Sequence, residues 1–200
     1  MIRSIQSVGI VVAVLLLSAC RAYTPSRYTV SVSNVEKLRT LQRKYPQGAL
    51  KVSGFISESG PLREITCRGA GPVAPPDYKT FEQYLQGALE DDLRMAGVYS
   101  DKSQVAVSAS IREVDFSSTN GTWTLAALVS AGSVQPFQVS HVGSFSTGIF
   151  GDEACRLTAH AFMPAAQDFV KKLVASPGFE KAFAESAEAK AQTPQAVPGT

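Results

Sequence analysis

Two histidines, three cysteines and a run of carboxylates are the residues from which this chain could build chemistry. In a strand read over 137–145, His141 shares a face with Phe137, Val139 and Phe145. In a second strand, read over 153–162, His160 lies opposite Cys155, Leu157, Ala159 and Ala161. Neither histidine has a neighbour at metal-ligand spacing. Cys155 with His141 would make a nucleophile and its base, but only with a free thiolate. Glu90, Asp91 and Asp92 are adjacent on a helix and point to different sides, whereas acid–base pairs must face one site. They read as a solvated face, with Asp92 nearest the apolar stripe and placed to pair with a basic residue of the sheet. The run Cys67-Arg68-Gly69-Ala70-Gly71-Pro72 has two glycines but does not open into a helix, as a phosphate loop must. Trp123 alternates with Leu125, Ala127 and Val129 and reads as a core anchor. The formal net charge is +2, nearly balanced, so no nucleic-acid partner is expected. These residues predict no catalytic group, no metal and no cofactor.

The amino terminus speaks to location. An apolar run of about ten residues, Val8 to Leu17, is half of the roughly 20 needed to span a bilayer. Arg3 precedes it and the small residues Ser18 and Ala19 follow, the layout of a secretory signal. Leu17-Ser18-Ala19-Cys20 resembles the lipobox of bacterial lipoproteins. That resemblance implies cleavage before Cys20 and acyl chains on it. Arg21, where an inner-membrane retention signal carries Asp, resembles Gram-negative lipoproteins of the outer membrane and implies its periplasmic face. Several acyl chains make a stable anchor. With Cys20 lipidated, Cys67 and Cys155 remain, and an oxidising compartment makes the pair a disulfide. The alternative is two separate buried thiols.

The elements that must position these residues follow from periodicity. Residues 1–19 read as signal peptide, 20–27 as lipidated terminus and spacer, 28–178 as one domain and 179–200 as a disordered tail rich in Ala, Gln and Pro. Residues 28–32 alternate and read as a strand. A capping box, Ser33 to Glu36, opens a helix ended by Pro46 and Gly48. Its Lys37, Arg39, Arg43 and Lys44 form a basic face, solvated or set against anionic headgroups. A strand over 49–57 leads into a proline-rich loop, 58–77, with a short edge strand at 63–67. A helix over 78–96 carries Phe81, Leu85, Ala88, Leu89, Leu93 and Ala96 on one stripe, with Asp77 or Thr80 as cap and Gly97 at its end. The period then becomes two, with a bulge expected near Arg112-Glu113 and a hairpin turn at Asn120-Gly121. Strands over 122–130, 137–145 and 153–162 follow, and Pro164 opens a last helix. The expected fold is α+β: a mainly antiparallel sheet with two or three helices on one face.

The lipobox, the helix Phe81-Glu82-Gln83-Tyr84-Leu85 onward to Ala96-Gly97, and the following meander resemble small bacterial lipoproteins of the YajG type. They are also similar to auxiliary lipoproteins of transport and envelope-assembly systems. The resemblance implies a non-catalytic envelope protein that binds another envelope protein. The expected contact surface is the loop 58–77, at Arg63, Arg68 and Pro72, because the disulfide would pin it to a rigid scaffold. The competing function is an envelope hydrolase or other periplasmic enzyme.

Overall fold

The structure is a computed structural model that describes residues 22–192, so the expected signal peptide and lipidated Cys20, and residues 193–200, lie outside it. The first helix, α1 (Val32–Lys44), buries Val35, Leu38 and Leu41 on one stripe. Strand β1 (Lys51–Ser57) leads to the short β2 (Ile65–Cys67) and β3 (Gly71–Val73), which pair with each other. Helix α2 (Phe81–Ala96) begins as its sequence dictates: Thr80 and Gln83 form the reciprocal capping box, and Gly97 ends it in the left-handed region. Strands β4 (Ala106–Ser117), β5 (Thr122–Ala131) and β6 (Val134–Ser144) form the meander, followed by α3 (Gly151–Ala175) and α4 (Pro177–Gln192).

The fold is α+β. The main sheet has the order β1-β4-β5-β6, with β1 parallel to β4 and the remaining pairs antiparallel. The parallel pair is reached through the crossover that contains α2. The register of β4 against β5 shifts between Ile111 and Glu113, where the change of alternation places a bulge. The Asn120-Gly121 turn closes the hairpin, with Gly121 at a φ of 64° and its carbonyl accepting from Phe145 N. One face of the sheet presents Val107, Ala109, Trp123, Leu125, Val129 and Val139 to the helices, and all are buried. Trp123 packs on Phe81, Phe116 and Phe162 and donates to the Thr158 carbonyl at 2.9 Å. Each such side chain contributes on the order of 1.5–3 kcal/mol of transfer free energy.

Four local expectations are corrected. Residues 28–32 form no strand: the segment crosses α2, and the helix begins at Val32 rather than behind a Ser33 cap. Residues 153–162 are the first part of α3. The period of two through Cys155, Leu157, Ala159 and Ala161 overlaps a longer stripe of Cys155, Ala159, Phe162, Ala166 and Phe169, and only the helical stripe continues past Pro164. Pro164 does not open a helix but sits inside one, on its exposed side, where its ring withholds the N–H that would bond the His160 carbonyl. Finally, residues 179–192 of the expected disordered tail belong to α4. Ser176 Oγ accepts from Phe179 N, and Phe179, Ala182, Phe183 and Ser186 are buried on one stripe. An Ala- and Glu-rich composition thus served helix formation, and the two phenylalanines supplied the burial.

Candidate functional site

The chain brings four separated segments to one end of the fold. Cys67, last residue of β2, is joined to Cys155 in the second turn of α3, with Cα atoms 5.8 Å apart. Both cysteines are fully buried. The crosslink spans 88 residues, worth about 4–5 kcal/mol in the chain-entropy treatment. Tyr23 adds a third segment: its N–H donates to the Pro72 carbonyl at 2.8 Å, its carbonyl accepts from Ala74 N, and its hydroxyl donates to Asp152 Oδ1 at 2.7 Å. The fourth segment is the 145–150 loop. Arg68 holds it, donating from Nη1 to the Ile149 carbonyl and from Nε and Nη2 to Ser118 Oγ and the Ser118 carbonyl at 3.0 and 2.7 Å. Thr147 Oγ1 donates to the same Ser118 carbonyl.

This geometry sorts the loop residues expected to contact a partner. Arg63 is exposed, with Nη1 donating to the Tyr78 carbonyl. Arg68 works within the chain as a clamp on Ser118 and Ile149. Pro72 contributes its backbone to the pairing with Tyr23. Of the three, Arg63 offers the side chain least engaged by the fold.

The carboxylate run also separates. Asp91 is exposed, whereas Asp92 is fully buried and meets no basic residue of the sheet. Its oxygens accept from Tyr28 Oη, Ser31 N and Asn34 Nδ2 at 2.9, 3.1 and 2.8 Å. Burial raises its pKa, and the three donors offset part of that rise. The same burial, with the Asp92 charge beside it, raises the Tyr28 phenol. Asp92 is a hub that fastens the amino-terminal segment to α2.

A cleft of about 390 Å³ opens between β6 and the middle of α3. Its lining includes His141, His160 and Asp168 above an apolar floor of Trp123, Phe145 and Ala161. His141 is 7% exposed, and neither ring nitrogen has a hydrogen-bond partner among the described residues. Both nitrogens are shielded from solvent, one of them by the Gly143 backbone: a Cβ there would come within 2.5 Å of Nε2. Burial holds the imidazole below its ordinary pKa, with Asp168 drawing it up and Lys172 pushing it down. His141 is therefore a ring packed under the cleft, with no nitrogen presented to a bound molecule. Cys155 is oxidised, so the Cys155–His141 pair is not formed. His160 and Asp168 stand exposed at the rim. No group of three metal-ligating side chains occurs among the described residues.

The sheet face turned away from the helices is partly exposed. It carries Ser108, Ser110, Thr122, Thr124 and Leu128, between the exposed Ile56 on β1 and Val142 on β6. Its charges gather where Glu58 pairs with Arg112 and along the end of β4 at Glu113 and Asp115. The alternation of the strands contains this face, because each outward residue is the neighbour of a core residue. The contributions of Tyr23, Ser118, Ile149 and Asp168 had no such signal, since each depends on a partner distant in sequence. No family model matches the chain, and neither a curated protein nor a solved structure matches it.

Proposed function

We propose that the chain is a lipid-anchored, non-catalytic binding or assembly subunit of the bacterial envelope, held through Cys20 on the periplasmic face of the outer membrane. One observation carries the reading: the Cys67–Cys155 disulfide locks together the segments beside Tyr23, where the anchored terminus enters the fold. A disulfide of this kind suits an oxidising compartment. Its position makes the anchored end the most firmly crosslinked part of the molecule.

The partner is an envelope protein, and its surface of contact is the outward face of the sheet, with Arg63 at the near loop. That face is uncharged over most of its breadth, which supports protein contact rather than nucleic-acid contact. A photo-crosslinking residue at Thr124 or Val142 should capture one discrete envelope protein in intact cells. Capture only from Asp168, with none from the sheet face, would overturn this choice of surface. Replacement of Cys20 by Ser should leave an unacylated precursor, read by mass spectrometry.

The second reading, an envelope hydrolase, draws on the cleft, where His160 and Asp168 flank an apolar floor. Turnover of an envelope substrate that is lost on His160→Ala or Asp168→Ala, with the fold intact, would favour it.

A further inference from the structure

We propose that Ile149 and Phe150 form an apolar wedge that enters the headgroup–acyl boundary of the membrane holding Cys20, so that the fold meets the bilayer by one fixed end. The inference rests on the reading of Cys20 as the lipid anchor. Ile149 and Phe150 are consecutive, large and apolar, yet 91% and 76% exposed. Elsewhere among the described residues the exposed large apolar side chains stand apart from one another in sequence.

Their place in the fold identifies the surface they meet. Phe150 is the residue before α3, and Asp152, in the first turn, receives the Tyr23 hydroxyl. Cys20 lies three residues before Tyr23, a reach of at most about 11 Å along extended chain. An acyl chain on Cys20 would therefore start within that reach of Tyr23, whose hydroxyl bonds Asp152 two residues after Phe150. The loop is also held rigid at this end. Arg68 binds the Ile149 carbonyl, Phe145 N bonds the Gly121 carbonyl, and the disulfide follows within two turns of α3. With its carbonyl engaged, Ile149 can bury its side chain in lipid without stranding that acceptor. Charge at this end is mixed: Asp152 and Glu153 oppose Arg68 and Arg156. The attraction is therefore apolar rather than electrostatic, and salt should leave it unchanged.

The test uses acylated full-length protein in phosphatidylethanolamine–phosphatidylglycerol vesicles, with and without bromine on the acyl chains. Phe150→Trp reports the wedge. Lys102→Trp reports the opposite end of the sheet, beyond the start of β4. Trp123 is fully buried and supplies a constant background. The F150W emission should fall roughly twofold in brominated vesicles, because a wedge sits about 5–10 Å into the boundary, while K102W should be unaffected. Equal quenching of both, quenching of K102W alone, or no quenching of F150W on acylated protein would overturn the wedge and leave the anchor standing. Mass spectrometry separates the two readings: an unacylated Cys20 in the mature protein removes the anchor and the wedge together.

Discussion

The Nδ2 amide of Asn34 donates to Oδ2 of Asp92 at 2.8 Å, with both side chains fully buried. The pair joins α1 to α2, and Asn34 Nδ2 also donates to the Gln167 carbonyl on α3. A buried carboxylate without a cation is held here by neutral donors, each of which it satisfies. Asp92→Ala removes the acceptor for three of them. Leaving a buried donor unpaired costs about 1–3 kcal/mol. The variant should lose on the order of 3–5 kcal/mol, read as a lower denaturant midpoint at constant slope. An unchanged midpoint would show that the amino-terminal segment is not fastened through Asp92.

Asp92 has a folded pKa raised by burial, so the protein binds its proton more readily folded than unfolded. Its contribution to stability is fully present below the unfolded pKa and is lost as pH rises through the folded one. His141 works in the reverse sense. Its folded pKa is lowered by burial, so stability falls as pH drops from the ordinary histidine value through the folded pKa. Replacing His141 by Leu should flatten the stability profile below about pH 6.5. A profile of unchanged shape would place that acid sensitivity in another group.

Gly143→Ala tests the packing of the same ring. The new Cβ would meet His141 Nε2 at 2.5 Å, so the imidazole must move. Overpacking of this kind costs about 1–3 kcal/mol, and combining the change with His141→Ala should recover part of it. Full additivity of the two in a double-mutant cycle would deny the contact.

Reduction of the Cys67–Cys155 bridge should lower the melting temperature. Removing a native disulfide from a domain costs about 2–5 kcal/mol, and Cys67→Ser with Cys155→Ser should match the reduced protein. Hydrogen exchange should rise first in the 145–150 loop and around Tyr23, which the bridge holds together. A melt insensitive to reductant would mean that the bridge constrains nothing the fold does not already fix.

Phe183→Ala should destabilise the domain by about 3–5 kcal/mol, because the ring is fully buried and packs against Gly48 and Tyr45. A change within experimental error would mark α4 as dispensable.

The sequence by itself determined the elements whose signals are local. The Thr80–Gln83 box and Gly97 bound α2, Asn120-Gly121 turned the hairpin, and alternation gave three meander strands with the bulge beside Arg112. The cysteine count and an expected oxidising location also paired Cys67 with Cys155, although those residues are 88 apart. Residues 153–162 were not legible, because alternating alanines and leucine fit a strand and a helix alike over ten residues. Only the continuous burial of Phe162, Ala166, Phe169 and Leu173 against the sheet decided for the helix. Phe179 and Phe183 sat in a composition typical of unfolded tails until the fold buried both, Phe183 against Gly48 and Tyr45. Tertiary structure likewise decided that Arg68 is a clamp, that Asp92 is a hub, and that Tyr23 bonds Asp152, close in sequence to the exposed Ile149 and Phe150. Each of those roles is set by a partner roughly 50 to 130 positions away, and periodicity within one segment carries no information about which distant segment will pack against it.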